Sequence, residues 1–521
     1  MRKKWLRIVF RRRVFVILTL LVQIAFLIYF IATSSMAFRY VSWTLNGISI
    51  LVCLYIINKN ENSGYKLIWI FLILMAPIFG GSMYIIFYVQ SNSRKLRKRM
   101  RADHERCRPL YLLPGNRLPL FESEGGGNRE PECLPLVRYL QEYVGFPVYI
   151  NTQTEYFDSG ESFFKKALEE LEKAERYIFL EFFILSQGKM LDPIISILER
   201  KAKQGLDIRL IYDDLGCFVT LPPNYRAHLE RKGIQCYVFN PFKPVLSSLQ
   251  NNRDHRKIIS IDGKIAFTGG INLADEYINA FEKYGHWKDA AIMLSGEAAW
   301  SLTLIFLRIW NIRPKKAARV QRDDYTVFYP WKDGPSGIPS DGYVQPYADS
   351  PLDRENVAEH VYIQIINNAK KYVYINTPYL IPDDKLLSAL ILAAKSGVDV
   401  RIITPHRWDK RIVHMTTRSY YRRLVSAGVK VYEYSNGFNH SKTFVSDDRI
   451  ATVGTSNLDY RSLYLHFECG VWMYKTKSVA EIKEDFLRTM TVSQEITLSQ
   501  CRGNAVLRIV QDVLRLFAPL M

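Results

Sequence analysis

The distribution of apolar and charged positions divides the chain into an apolar N-terminal part and a longer part with alternating patterns. Three early stretches contain no charged residue, at residues 14–38, 40–58 and 67–93. About 20 apolar residues span a bilayer as a helix, so each stretch is a candidate membrane helix. A cleaved signal peptide accounts for the first stretch only. The pattern therefore predicts an integral membrane segment of two or three transmembrane helices at residues 1–93.

The charged residues beside these stretches bear on the orientation of the membrane segment. Basic clusters lie before the first stretch and after the last, within residues 2–13 and 94–101. The positive-inside tendency places both clusters in the cytoplasm, which requires an even number of crossings. Three stretches give an odd number, so one is re-entrant or interfacial, or one cluster breaks the rule. The third stretch carries Pro77 and Gly80-Gly81, which favour a kink. We expect the remainder of the chain to be cytoplasmic.

Beyond residue 145, short apolar β-type runs alternate with amphipathic helical stretches, and the pattern occurs twice. Residues 174–181 (AERYIFLE) resemble 369–376 (AKKYVYIN), and residues 204–211 (QGLDIRLI) resemble 396–403 (SGVDVRII). This alternation is typical of α/β units around a buried sheet. We predict two tandem α/β domains related by a pseudo-twofold axis.

The composition of the connecting segments suggests where these parts begin and end. A stretch rich in Pro, Gly and Asp separates the two copies and is typical of a linker. The predicted parts are the membrane segment at 1–93, a basic juxtamembrane linker at 94–144, a first domain at 145–329, a linker at 330–351 and a second domain at 352–521.

The net charge of +19 suggests nucleic acid or an anionic membrane as a partner. Its distribution favours the membrane. Residues 1–108 hold 18 Lys and Arg against 3 Asp and Glu, whereas the remaining residues hold 52 against 48. Binding to a phosphate backbone normally needs clustered basic charge, so we expect no nucleic-acid partner. The seven cysteines include no CxxC pair, which argues against a zinc site and a disulfide framework.

One motif occurs in both copies at a constant offset of 185 residues. It is HxK(x)4D, followed ten residues later by Asn. Its members are His255, Lys257, Asp262 and Asn272 in the first copy, and His440, Lys442, Asp447 and Asn457 in the second.

The spacing within the motif suits phosphate chemistry. His and Lys two positions apart on a strand point to one face, which places an imidazole beside an ammonium. Neutral imidazole attacks phosphorus, and imidazolium protonates a leaving alkoxide. Asp262 precedes Gly263 between two β-type runs, as in a hairpin turn, which favours a turn and network role for this motif Asp. A single HxK is common on solvated strands, so the two copies in register carry the prediction of catalysis.

The paired motif resembles the phospholipase D superfamily, and most of the chain is similar to its bacterial cardiolipin synthases. The apolar N-terminal stretch and the sequence NLDYRS at 457–462 belong to this resemblance. It implies two phospholipase D-like domains and a metal-independent transfer without a cofactor. Acids downstream of each motif would orient the histidines, here Asp289 and Glu468, unless these merely pair with nearby Lys or Arg. The family commonly has Asn where this chain has His466.

The resemblance implies that two phosphatidylglycerol molecules condense to cardiolipin and glycerol through a phosphatidyl-histidine. His255 would be the nucleophile and His440 the acid/base, although the near-symmetric sequence does not settle that order. Lys257, Lys442 and the two motif asparagines, Asn272 and Asn457, would hold the phosphoryl oxygens. Phosphatidylglycerol and anionic lipids would be the partners, in a bacterial cell membrane that the chain crosses several times. Self-association is left open.

Four other functions remain open from the sequence. Water could resolve the same intermediate, as in a phospholipase D hydrolase, or another acceptor alcohol could replace phosphatidylglycerol. A nuclease fits the superfamily but not the charge distribution, and a non-enzymatic membrane scaffold would not need two intact motifs.

Two further features fit a structural or a functional role equally. Glu181 ends an apolar run where a site could form, but its counterpart is Asn376. The C-terminal residues 505–520 have apolar positions at helical spacing, with Arg508 and Arg515, which suits either core packing or a membrane surface.

Overall fold

The structure is a computed structural model. It describes residues 18, 20–25, 28, 36–59, 61–88, 91–112, 132–242, 248–313, 324–332, 334, 336–353, 355–502 and 505–521. Most of the first apolar stretch, residues 14–38, lies outside the described residues.

Four helices form the described N-terminal part. They are α1 (Met36–Ile57), α2 (Ser63–Met75), α3 (Pro77–Tyr88) and α4 (Ser91–Tyr111). Within α1, the window Tyr40–Ile57 has a mean hydropathy of 1.7 and is long enough to cross a membrane. It is the one helix with this property in the part of the chain that the structure describes.

The third apolar stretch is interrupted where Pro77 and Gly80-Gly81 favour a kink, so it does not form one continuous helix. Helix α2 ends at Met75, and α3 begins at Pro77, which has no N–H to continue the ladder. Gly80 lies so close to α2 that a Cβ there would stand 2.5 Å from the carbonyl oxygen of Leu72. At 13 and 12 residues, each helix is too short to span a bilayer. Multi-pass topology therefore stays a prediction.

The first half of the remaining chain surrounds a seven-stranded sheet with the order β1-β9-β7-β6-β2-β3-β4. Strands β2, β3 and β4 are parallel, and the others join antiparallel. Strands β5 and β8 lie outside this sheet. The strands of this half are β1 (Thr152–Phe157), β2 (Tyr177–Phe182), β3 (Asp207–Asp213), β4 (Gln235–Phe239), β5 (Arg253–Asp254), β6 (Ile258–Ile261), β7 (Ile265–Gly269), β8 (His286–Lys288) and β9 (Ala291–Gly296). The helices are α5 (Leu134–Arg138), α6 (Gly160–Glu172), α7 (Leu191–Lys203), α8 (Tyr225–Arg231) and α9 (Ala299–Ile312).

The second half repeats this order as β10-β19-β17-β16-β11-β13-β14, with β20 added at the edge. The strands are β10 (Tyr343–Asp349), β11 (Tyr372–Asn376), β12 (Leu380–Ile381), β13 (Asp399–Pro405), β14 (Lys430–Tyr434), β15 (Gly437–Asn439), β16 (Thr443–Ser446), β17 (Ile450–Gly454), β18 (Leu458–Asp459), β19 (His466–Tyr474) and β20 (Ser493–Glu495). The helices are α10 (Val357–Asn368), α11 (Asp384–Lys395), α12 (Arg411–Val425), α13 (Tyr460–Tyr464), α14 (Lys477–Thr491) and α15 (Ala505–Leu516). The predicted tandem α/β architecture is confirmed.

The predicted linker at 330–351 is too long. Its last residues form β10, which pairs antiparallel with β19 at the edge of the second sheet. Pro346 within β10 resembles a turn signal, but an edge strand tolerates proline because its outer N–H groups need no partner.

Short strand pairs connect the two halves directly. Strand β5 of the first half runs parallel to the start of β19, and β15 of the second half runs parallel to β8. One apolar core contains residues of both halves, including Phe179, Trp300 and Val373. The two sheets are therefore packed as one body, with both HxK segments at their junction.

Candidate active site

The first motif histidine is held by a carboxylate from the other half of the chain. His255 follows β5, and its backbone N–H donates to the carbonyl oxygen of Phe467 at 3.0 Å. Its Nδ1 lies 3.0 Å from Oε1 of Glu468. Glu468 also accepts a hydrogen bond from the hydroxyl of Thr455. Because Phe467 and Glu468 lie on β19, the second half determines the orientation of this imidazole.

The second motif histidine has the mirrored arrangement. The backbone N–H of His440 donates to the carbonyl oxygen of Lys288 at 2.7 Å, and its Nδ1 lies 2.6 Å from Oδ2 of Asp289. Asp289 belongs to the first half and also accepts from the backbone N–H of Ala290 at 2.8 Å. Each acid thus serves the histidine of the opposite half, which pairing by sequence order does not reveal.

Burial keeps both imidazoles neutral, although each carboxylate partner favours the charged ring. Burial lowers the pKa of His440 to about 4, and it places the pKa of His255 well below the ordinary histidine value. Burial alone would raise the pKa of both acids, but His440 and Lys442 hold the pKa of Asp289 below normal, and His255 and His466 hold that of Glu468 well below normal. With Nδ1–H donated to a carboxylate, Nε2 of each ring carries the lone pair. Both histidines are therefore set up as acceptors or nucleophiles at Nε2.

Two buried lysines accompany the histidines. Nζ of Lys257 and of Lys442 each donates to the carbonyl oxygen of the histidine two residues earlier. Burial lowers the pKa of Lys257 to about 8 and that of Lys442 to about 7. The charge of Lys257 acts on both His440 and Lys442, so the two motifs form one cluster. An anionic phosphodiester bound here would favour the charged form of both lysines and of the histidines.

The motif asparagines are buried beside the cluster and partly engaged. Asn272 accepts from the backbone N–H of Ile184 at 2.9 Å and donates to the hydroxyl of Tyr277 at 2.7 Å. Asn457 donates to Asp459 at 3.1 Å. Each amino group carries a second hydrogen that a phosphoryl oxygen could accept. Their role in phosphate binding stays a prediction.

The motif aspartates lie at the far end of the following strand, outside the cluster of histidines and lysines. Asp262 accepts 2.8 Å hydrogen bonds from the backbone N–H groups of Glu175, Arg176 and Tyr177. Asp447 binds three successive backbone N–H groups of the second half in the same way. Both sit at turns with positive φ. Strand β6 or β16 separates each from its histidine, in agreement with the turn and network role that the sequence favours, and a catalytic role for Asp262 or Asp447 stays a prediction.

Replacing Asp262 with alanine is expected to lower the free energy of unfolding by roughly 2–4 kcal/mol, since three amides lose a charged acceptor. Asp262→Asn keeps Oδ1, which serves Arg176 and Tyr177, and Asn tolerates the φ of +53°. Its loss should be about 1 kcal/mol. Denaturant unfolding in detergent micelles measures both. Lost turnover in a fully stable Asp262→Asn protein would instead show a catalytic role.

His466 and Trp287 occupy equivalent positions in the two halves. Each of them lies two residues before the orienting acid in the sequence. In the short strand pairs, each lies opposite the residue two positions before a motif histidine. The ring of His466 lies 5.4 Å from that of His255, and the ring of Trp287 lies 5.3 Å from that of His440. Nδ1 of His466 is 3.7 Å from Glu468, and burial lowers its pKa. The unusual histidine therefore packs beside the nucleophile candidate.

His255, His466 and Glu468 are the one group of three potential metal ligands among the described residues, with ligand atoms within 4.8 Å of one another. The carboxylate of Glu468 is already engaged with His255 and Thr455. Of the two rings, His255 is hydrogen-bonded to Glu468, whereas Nδ1 of His466 stands 3.7 Å from this acid and has no hydrogen-bond partner anywhere in the described ranges. The absence of a metal from the reaction stays a prediction.

Sequence reasoning missed a buried charged cluster behind His255. Arg256 lies 2.7 Å from Glu181 and 2.9 Å from Asp254, and burial places the pKa of Glu181 well above its usual range. A signal existed, because a residue between His and Lys on a strand points to the opposite, buried face. In the second half the equivalent positions are the neutral Asn376, Asn439 and Ser441.

Comparisons with known proteins agree with this geometry. A family profile described as "Cardiolipin synthase, PLD-like domain" matches residues 167–310 and 362–490, and "Phospholipase_D-nuclease N-terminal" matches 47–87. A cardiolipin synthase of Halalkalibacterium halodurans is 34% identical over 92% of this chain and 95% of its own length. An uncharacterized protein of Streptococcus mutans is 43% identical over 90% of this chain and 99% of its own length. The crystal structure of a phosphatidylserine synthase from Haemophilus influenzae superposes with a TM-score of 0.55 at 16% identity, covering 74% of this chain and 98% of that one.

The duplicated sheets and the paired HxK segments at their junction define an enzyme of the phospholipase D superfamily. The profile match in both halves, together with relatives aligned over nearly their whole length, identifies the branch. The chain belongs to the bacterial cardiolipin synthase family. It is a phosphatidyltransferase of phospholipid biosynthesis, and its N-terminal apolar helix is consistent with membrane association.

Proposed function

We propose that this enzyme condenses two phosphatidylglycerol molecules into cardiolipin and glycerol through a phosphatidyl-histidine intermediate. One observation carries the proposal: two neutral imidazoles, each held at Nδ1 by a carboxylate, share one buried cluster with two lysines. A single histidine could attack or protonate. Two histidines can divide these tasks, which a double displacement requires.

In the first step, Nε2 of His255 attacks the phosphorus of one phosphatidylglycerol. The new P–N bond forms as the P–O bond to the glycerol headgroup breaks, and His440 gives its proton to the leaving oxygen. His440 must be protonated for this step. The bound phosphodiester adds negative charge beside the ring, which raises its pKa from the low value of the free site. Glu468 stabilises the positive charge that develops on His255.

In the second step, the terminal hydroxyl of another phosphatidylglycerol attacks the phosphatidyl-histidine. His440, now neutral, takes the hydroxyl proton, the new P–O bond forms, and the P–N bond breaks. Lys257 and Lys442 hold the non-bridging oxygens through both steps. We assign His255 as the nucleophile from the family resemblance.

The product assay tests this reaction. The full-length protein in detergent–lipid micelles, with phosphatidylglycerol and a chelator, is expected to form cardiolipin and glycerol in equal amounts. Thin-layer chromatography and an enzymatic glycerol assay measure the two products. Phosphatidic acid as the main product would instead support hydrolysis, and activity that the chelator abolishes would contradict metal independence.

The pH dependence of kcat/KM should follow the lowered pKa values of the free site. The lysines must be charged to bind phosphodiester, so kcat/KM should fall as the pH rises through 7 and 8, where the pKa values of Lys442 (about 7) and Lys257 (about 8) lie. The nucleophile His255 must be neutral, and burial holds its pKa well below the ordinary histidine value, so the acid limb should lie below pH 6. Initial rates between pH 4 and 10 measure both limbs. A rise centred at 6.5 and a flat profile to pH 10 would contradict this electrostatic picture.

A further inference from the structure

The C-terminal helix α15 has its apolar face turned outward. Val506, Ile509 and Val513 recur at helical spacing and are 70%, 64% and 50% exposed. Val510 and Leu516 extend the same exposed stripe. A surface helix of a globular domain normally buries its apolar stripe and exposes its charges. An apolar stripe left exposed beside charged residues is typical of a helix that lies in a membrane interface.

The charged residues of α15 lie on the side next to α12, although Arg508, Asp512 and Arg515 are themselves exposed. They face α12 across a cavity of about 330 Å³. Five arginines line this cavity together with one acid: Arg418, Arg422, Arg423, Arg508, Arg515 and Asp512. Arg418 pairs with Glu433 and Arg515 with Asp512, whereas no ion pair involves Arg422, Arg423 or Arg508 within the described part of the chain. We call this cavity the arginine cleft.

The chain that leaves α15 returns to the N-terminal apolar helices. The ring of Phe517 lies 6.5 Å from that of Phe71 in α2. Pro519 packs so closely on Gly64 that a Cβ at Gly64 would stand 2.7 Å from its ring. Leu67 and Phe71 of α2 are themselves exposed. The outward stripe of α15 is therefore continuous with the apolar surface that follows the membrane-helix candidate α1.

We propose that α15 lies on the membrane surface with its apolar stripe in the acyl-chain boundary, and that the arginine cleft binds the phosphate of an anionic phospholipid. The guanidinium fork matches phosphate oxygens, and apolar burial beside it would hold the acyl chains. No motif residue lines the cleft, so this lipid site is separate from the catalytic cluster. The inference goes beyond the proposed reaction and does not depend on it.

Helix α12 also connects this surface to the catalytic half-site. The hydroxyl of Thr417 in α12 accepts from the backbone N–H of Leu380, and Leu380 pairs with Leu458, the neighbour of Asn457. A lipid held in the arginine cleft would therefore lie on an element that contacts the loop of the second motif.

Photocrosslinking tests the position of α15. A photoreactive phenylalanine analogue replaces Ile509 in the full-length protein, reconstituted in vesicles of phosphatidylglycerol and phosphatidylcholine. Val219, an exposed apolar residue of the first half, is the matched control position. We expect at least tenfold more phospholipid adduct at position 509 than at position 219. A crosslinked dimer as the main product at 509 would show a second copy on this face, and equal lipid adducts at both positions would also overturn the proposal.

Native mass spectrometry tests the arginine cleft. Arg422→Gln/Arg508→Gln is compared with Arg226→Gln/Arg231→Gln on α8, both in a His255→Ala background that prevents turnover. The probe is phosphatidylglycerol in mixed nanodiscs. We expect occupancy of the most tightly retained lipid to fall at least fivefold in the cleft variant only. Equal occupancy in both variants would overturn the site, and because the readout is binding, the outcome is distinct from that of the product assay.

Discussion

Replacing His255 or His440 with alanine is expected to abolish phosphatidyl transfer from phosphatidylglycerol, with a loss of kcat of at least ~10⁴-fold. Both histidines are needed because one forms the P–N bond while the other moves the proton of the leaving glycerol. Removal of either leaves a step without its reacting group. The measurement is the initial rate of cardiolipin formation in matched micelles, and an active alanine variant at either position would disprove the two-histidine mechanism.

A substrate with an activated leaving group separates the two roles. Phosphatidyl-p-nitrophenol needs no proton for its leaving group, so the first step should proceed in His440→Ala and stop in His255→Ala. Release of one equivalent of p-nitrophenol, with label from the phosphatidyl group on the protein, would show the trapped intermediate. The reverse pattern would assign His440 as the nucleophile.

Replacing either orienting acid with the corresponding amide is expected to have the second-largest effect on kcat. Glu468→Gln and Asp289→Asn should each lower kcat with phosphatidylglycerol by roughly 10²–10⁴-fold, because the imidazole loses its orientation and the stabilisation of its positive charge. The structure also predicts which histidine each acid affects. Glu468 acts on His255 although 213 residues separate them, and Asp289 acts on His440 across 151 residues.

The activated substrate tests this crossed pairing. With phosphatidyl-p-nitrophenol, Asp289→Asn should still carry out the first step, as His440→Ala does. Glu468→Gln should fail to carry it out, as His255→Ala does. Glu495→Gln, at an exposed carboxylate on β20, is the control and should behave as the parent enzyme. If each acid served the histidine of its own half, the two acid variants would exchange their results.

The two halves are symmetric at the histidines and different behind them. Behind His255 lies the charged cluster of Glu181, Asp254 and Arg256, whereas the second half has neutral amides, with Asn439 donating to Asn376 at 2.9 Å. A buried ion pair is costly to break and fixes its surroundings in one arrangement. The two histidines therefore have equivalent carboxylate partners but differently charged surroundings.

In the membrane segment, hydropathy alone does not distinguish a continuous helix from an interrupted one. The apolar run at 40–58 is a helix long enough to cross a bilayer, as its length predicts. The run at 67–93 has the same hydropathy signal but folds into two short helices, since Pro77 interrupts it and Gly80 allows α3 to pack tightly against α2. Hydropathy indicates the environment of a segment, whereas a single proline determines where its helix ends.

The sequence alone determined the duplication, the α/β class and the two HxK(x)4D motifs, because periodicity and local spacing specify which face a side chain occupies. It also marked Asp289 and Glu468 through the family resemblance. Only the tertiary structure decided which acid meets which histidine, that β10 belongs to the second sheet, and that Arg256 is buried against Glu181. These depend on partners more than 70 residues apart in the chain. The local pattern specifies the face on which each side chain lies, and the packing of the two halves determines which residue it contacts.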